Sequence, residues 1–359
     1  MSDMESKSQQ LWLMLQSCLS WVKAELLCGG GEGQGLLTVE QVPDVMKEPF
    51  ILTGYRRLYK PWGYYLMSFA RLHNETLNVW THAAGLLILL SQLIFLLRDF
   101  DVTEDKVSWP NLVFGICCLL NMILSATAHL CHSKSPWHHY LFFLLDYSGV
   151  TIYGFGTGIG SMYVCSSKAF HDSWAFCYLT LLVLSTCFAF FACCVTKILL
   201  PNHAARKPLM VAGVSTQGLV TALPTFARYA ECFTSPSCSL ADMNHISLVF
   251  LMLVVCAVTF VAHAPERWKP GCCDVFGHSH QIFHVAAVVT MLFQFRALHI
   301  DTNVLKIAHE LDPSPRLICQ AFVCVILMEA LTLIASARFI LCKRVASSDD
   351  LACRKQKET

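Results

Sequence analysis

Two histidines four residues apart, His280 and His284, stand at the head of an apolar run that continues to about His299. On a helix that spacing stacks both imidazoles on one face, which is how a helix holds a metal ion. Ionisable groups at the mouth of a membrane-length run are costly to bury, so they point to function. Two other runs carry polar residues: Ser125 and His129, again four apart near the end of one run, and Asp146 about two turns into the next. Three neutral imidazoles around zinc leave the metal its full charge and an open fourth position, which acidifies a bound water and polarises carbonyls. In that constellation His129, His280 and His284 are the ligands, Asp146 is a base or an orienting group, and Ser125 bonds an oxyanion or the water. Each histidine alone has a blander use, satisfying a backbone carbonyl in a helix bundle. Their convergence is what argues for zinc.

The elements that must position these residues are membrane helices. Of 359 residues 55% are hydrophobic and only 14% charged, against about 25% charged in an ordinary soluble domain. Eight runs are long enough to span, at about 78–97, 109–131, 138–163, 172–195, 208–229, 244–263, 279–299 and 317–341. The expected fold is an all-α polytopic membrane helix bundle, a seven-helix core with an additional eighth C-terminal span. The second run ends on the side where the third and seventh begin, so His129, Asp146, His280 and His284 share one depth whichever way up the protein sits. Lys and Arg number fifteen in the segments on that side and six on the other, which predicts a cytoplasmic N-terminus and a site near the cytoplasmic face. On this topology the sequon Asn74-Glu75-Thr76 stays unmodified. The chain divides into a cytoplasmic region 1–77, a core 78–300, an outside loop with the eighth span 301–342, and a cytoplasmic tail 343–359.

Other features are read in that frame. A net charge of +1 excludes a nucleic-acid partner. Most of the nineteen cysteines fall inside apolar runs as small hydrophobes, while Cys232 and Cys238 share a short outside loop where a disulfide can form. Residues 1–28 read as an amphipathic surface helix without signal-peptide features, followed by a Gly-rich linker. Gly154, Gly156, Gly158 and Gly160 suit close helix packing and fail as a nucleotide loop, because no strand precedes them. Pro224 is expected to kink its span. Gln217 is a candidate amide donor to a ligand ketone, with an interhelical hydrogen bond as its commoner use. Glu329, near the middle of the eighth span, must be protonated or paired. Cys272 and Cys273 are either structural or palmitoylated, and His132, His138 and His139 fall in a short loop where solvated histidines are ordinary.

These residues resemble the signature of the progestin and adipoQ receptor family, whose zinc site alkaline ceramidases share in outline. Asn74-Glu75-Thr76-Leu77-Asn78-Val79-Trp80-Thr81-His82 is similar to its Asn-Glu-x-x-Asn-x-Trp-Thr-His element. Ser125-x-x-x-His129, Asp146-Tyr147-Ser148-Gly149 and Ser279-His280-Gln281-Ile282-Phe283-His284 follow in matching order. The lead-in Glu48 to Arg56 and the eighth span resemble the membrane progestin receptor subgroup, alpha or beta type. The resemblance implies zinc on His129, His280 and His284 accompanied by Ser125 and Asp146. It also implies a plasma-membrane receptor for progesterone-like steroids, giving rapid non-genomic responses that include oocyte maturation, with inhibitory G proteins as partners. Glu75 and Asn78 belong to the first element, where the residues alone offer only capping of the first helix.

Three functions compete for this site. A steroid receptor needs an intramembrane pocket with a few fixed polar groups. A zinc-dependent lipid amide hydrolase, acting on ceramide or another lipid, uses Asp146 as base and Ser125 with the metal at the oxyanion. A purely structural zinc would clamp three helices, although closed sites usually have four protein ligands.

Overall fold

Runs of about twenty apolar residues bury their backbone polar groups only as helices, and the chain obeys this throughout. The computed structural model describes residues 35–357 apart from Asp99, Asn202 and Ser237, with side chains to Lys343. The expected amphipathic helix at 1–28 and nearly all of its linker lie outside the described residues. Eight long helices follow in order: α1 Thr76–Leu97, α2 Ser108–Cys131, α3 Pro136–Tyr163, α4 Lys168–Leu199, α5 Arg206–Thr234, α6 Asn244–Ala262, α7 Ser279–His299 and α8 Pro315–Lys357. Among the described residues the only β-pairing is an isolated bridge between Leu37 and Tyr55.

Seven of the eight are long and apolar enough to cross a membrane, and α3 is the exception. Its position explains its composition. The helix packs against α2, α4, α5 and α8, so its polar and small residues meet protein. A Cβ on Gly156 would stand 2.6 Å from the Cβ of Cys117, and one on Gly158 would run into Leu182, so these glycines set how closely α2 and α4 approach. Ser135 caps the start of α3 by accepting from the His138 amide, with Pro136 at the first helical position. Pro224 lies inside an unbroken α5.

One apolar core lies between α1, α2 and α7, with Leu89, Phe114, Met122, Met291 and Phe295 at its centre. A second joins α3, α4 and α8 through Phe155, Ile159, Leu182, Ile318 and Val325. Beside it runs a polar layer. Ser148 Oγ and Thr151 Oγ1 donate to the two Glu329 oxygens at 2.5 and 2.7 Å, fixing α8 to α3. At the end of the bundle away from His129, Arg228 holds Asp301 by two bonds of 2.7 and 3.1 Å, His245 joins them at 3.1 Å, and Cys232 is bridged to Cys238.

At the opposite end the segment before α1 is sewn into the bundle. Asp274 accepts from the amides of Leu52 and Thr53 at 3.0 and 2.8 Å, and Gly54, at φ +90°, turns the chain so that its carbonyl takes the Asn74 amide. Buried Arg56 then donates to the carbonyls of Leu130 and His129 at 2.5 and 2.7 Å, capping the end of α2 with a cation.

Candidate metal centre and cavity

His129 leaves the last turn of α2, and His280 and His284 leave the first two turns of α7, so the three rings meet at one end of the bundle. One ligand nitrogen from each lies within 4.8 Å of the other two. The start of α7 is held by Glu266, which accepts from both the amide and the hydroxyl of Ser279 and places a negative charge at the helix N-terminus.

The partners of the rings decide which nitrogens face inward. Glu75 Oε2 lies 2.7 Å from His129 Nδ1. A carboxylate only accepts, so the proton sits on Nδ1 and His129 Nε2 presents a lone pair. Thr81 directs its hydroxyl hydrogen to Leu77 O at 2.7 Å, leaving its oxygen to accept from His284 Nδ1 at 3.4 Å. His129 Nε2 and His280 Nε2 stand 3.4 Å apart. Tetrahedral zinc with nitrogens at about 2.0–2.1 Å separates neighbouring ligands by roughly 3.4 Å. The His129–His280 pair has that separation, and three imidazole nitrogens are the donor type such an ion takes. The Asp146 carboxylate is 4.0 Å from His129 Nε2, and both Asp146 and Ser125 are buried.

The sequence reading missed the role of Glu75. Its side chain does not cap α1. Instead it accepts from Asn78 Nδ2 at 2.6 Å as well as from His129, with His132 Nε2 3.4 Å from its other oxygen. Burial by itself raises the Glu75 carboxyl, but His129 and His132 outweigh it and hold it well below the ordinary carboxylate range. His132 and His139, expected in solvent, are buried. His132 lies in the turn after α2 and His139 in the first turn of α3, both under the segment before α1, where Lys197 Nζ donates to His139 Nε2 at 3.0 Å and the Nδ1 atoms of His139 and His132 lie 3.1 Å apart. Continuous hydrogen-bonding groups thus connect Lys197 on α4 to Glu75. Gln217 is not among the residues at the cluster or its cavity. Its Nε2 donates to Thr151 O and Thr186 Oγ1, both at 2.8 Å, tying α5 to α3 and α4.

A cavity of about 340 Å³ opens from the cluster. His129, Asp146, His280 and His284 line one end, Met210, Val214, Leu253 and Phe260 of α5 and α6 form an apolar wall, and Glu48, Lys197, Arg206 and Lys207 add charged groups to the lining. Ser215, Leu253 and Ala257 are shared with a crevice running between α5 and α6 beside Phe226, Phe250 and exposed Val254.

Residues 70–295 match the family model described as haemolysin-III related. The chain is 31% identical over 277 residues to membrane progestin receptor alpha of Sus scrofa, covering 75% of this chain and 77% of that one. It is 32% identical over 269 residues to membrane progestin receptor beta of Homo sapiens, covering 72% and 74%. Membrane progestin receptor alpha-B of Danio rerio is 31% identical over 266 residues, covering 73% and 75%.

Proposed function

The chain belongs to the haemolysin-III related family, and on that footing we propose that it is a multi-pass plasma-membrane receptor for a progestin-like steroid. The observation that carries this reading is the cavity. A steroid is a rigid apolar body with polar groups at its ends, and the hollow has apolar walls from α5 and α6 leading to polar groups at the histidine cluster. The crevice between α5 and α6 offers entry from the bilayer, where such a ligand partitions. The names of the relatives supply the ligand class.

In this reading the N-terminus is cytoplasmic, the cluster lies near the cytoplasmic face, and the Cys232–Cys238 loop is outside. The basic residues support it, whereas Asn74, 5% exposed and held by Gly54, excludes a glycan on either face. Zinc is held by His129, His280 and His284, and when bound it supplies a fixed positive centre that joins α2 to α7 and polarises an oxygen ligand. Steroid in the cavity acts on the helices around it, and the response is rapid, non-genomic and passed to an inhibitory G protein on the cytoplasmic side.

Saturable binding of progesterone to purified protein in nanodiscs tests the reading. Ala257→Trp, which fills the shared throat, is expected to weaken binding at least tenfold, and absence of saturable binding to the unaltered protein rejects it. A second reading, hydrolysis of a lipid amide such as ceramide, draws on one observation: the Asp146 carboxylate lines the cavity beside the cluster and is placed to take a proton there. Fatty-acid release from ceramide that disappears in Asp146→Ala would support it, and no release from zinc-replete protein would dismiss it.

A further inference from the structure

Two hydrogen-bond acceptors on α1 have no donor. Asn78 and His82 are four residues apart, so they share one face of the helix, and both line the cavity beside the three-histidine cluster. Asn78 is 2% exposed; its Nδ2 donates to Glu75, which turns Oδ1 the other way, and Oδ1 has no partner. His82 is 3% exposed; its Nδ1 lies 3.2 Å from Met122 Sδ, and its Nε2 has no partner. A thioether sulfur offers lone pairs and no proton, so that contact favours the tautomer protonated at Nδ1 and leaves a lone pair on Nε2.

The neighbours do not make up the deficit. The His284 ring, 4.0 Å from that of His82 between centroids, has its Nδ1 proton on Thr81. Buried acceptors without donors are costly, and native proteins rarely keep them unless something arrives to fill them.

We propose that Asn78 and His82 form a hydroxyl-binding subsite, and that the occupant of the cavity presents an O–H group to it. A ketone oxygen facing two lone pairs is repelled, whereas a hydroxyl donates to one of them. The subsite therefore selects a ligand whose buried end is an alcohol. The same O–H chemistry is available from an ordered water, and the experiment separates the two sources. This inference rests on the steroid reading above and sharpens it from a class of ligand to the group at one end.

The test is competition binding to zinc-replete protein in nanodiscs, using progesterone beside its analogues reduced to an alcohol at C3 or at C20. If the ligand fills the subsite, one alcohol binds about tenfold more tightly than progesterone, the worth of one well-made hydrogen bond to a buried acceptor. His82→Phe removes the lone pair and brings that ratio close to one, and His82→Gln, which keeps an acceptor oxygen, retains part of the preference. Asn78→Leu is the second variant and is expected to reduce the same ratio. Zinc content is measured on every protein. Equal binding of ketone and alcohols by the unaltered protein overturns the inference and leaves the receptor reading standing, since a water then suffices. A preference that survives both His82→Phe and Asn78→Leu overturns it as well. Loss of zinc from His82→Phe does the same by making the imidazole a ligand. Binding of no steroid rejects the receptor reading and this one with it.

Discussion

Glu75 Oε2 accepts the Nδ1 proton of His129 across 2.7 Å, and both side chains are buried. This one bond fixes the tautomer and the ring plane of the metal-facing imidazole, and the carboxylate makes Nε2 a stronger donor to a cation. Glu75→Gln keeps the shape and removes the charge. Zinc affinity is expected to fall about 10- to 100-fold with the helical content unchanged. Competition against a chromophoric chelator measures it, and an affinity within twofold of the original would show that packing alone orients His129.

Ligand and neighbour are separable by what their removal does. His280 stands 3.4 Å from His129 nitrogen to nitrogen, whereas Asp146 is 4.0 Å away. His280→Ala is expected to lower both zinc content and the yield of folded protein, because an ion held by the three histidines would join α2 to α7. Asp146→Ala is expected to spare both. Metal analysis and size-exclusion profiles in the same detergent report on each, and a collapsed Asp146→Ala protein would mean that the carboxylate is a fourth ligand and the ion a clamp.

Seven of the eight helices were legible from hydropathy because lipid demands it, α3 has a thinner apolar signal because protein surrounds it, and the helix ends agree with the runs within about five residues except at the C-terminus of α8, which continues to Lys357. The three histidines were legible because residues four apart on α7 must share a face and because alternating spans bring His129 to their depth. What was not legible is what the segment before α1 does. Arg56, Glu75 and Asp274 act on residues more than fifty positions away, and no periodicity encodes a contact of that kind. The word Asn-Glu-x-x-Asn at Asn74 to Asn78 marked the place and left the physics open. His132 and His139 were misjudged for the same reason: a turn and the start of the helix after it look solvated until the segment that covers them is known.

His73 gives that segment a dependence on pH. Its Nδ1 accepts the Glu75 amide at 3.0 Å and its Nε2 faces Ser68 O at 3.2 Å, so the ring is neutral with the proton on Nε2. Burial, with Arg56 adding to it, holds the imidazole well below its ordinary value of 6.5. The unfolded chain takes up a proton below about pH 6.5 that the folded protein refuses. The contribution of His73 is therefore fully present above that pH and declines below it, by up to about 1.4 kcal/mol per pH unit until the folded group titrates. Melting followed by a thiol-reactive dye, which reads the buried cysteines Cys117 and Cys118, is expected to fall between about pH 7 and pH 5. In His73→Asn the fall is expected to be shallower, and equal slopes in the two proteins would remove His73 as a cause.

Lys197 is the far end of the groups that lead back to Glu75, and it also lines the cavity. Its Nζ donates to His139 Nε2 and lies 4.4 Å above the Phe143 ring, so the ring of His139 is left to donate through Nδ1 to His132. His132 Nε2 in turn lies 3.4 Å from Glu75 Oε1, and Glu75 already holds His129. Each bond fixes the direction of the next, and a chain of that kind acts as a unit. Lys197→Met keeps the apolar stem and removes the first donor. Zinc affinity is expected to drop about two- to tenfold, less than in Glu75→Gln because the bond to His129 remains. In the double variant the two losses are expected to fall short of their sum by at least about 0.5 kcal/mol, because once Glu75 is neutral the chain has nothing left to orient. Strict additivity would mean that Lys197 serves the cavity alone and that the histidine pair is packing.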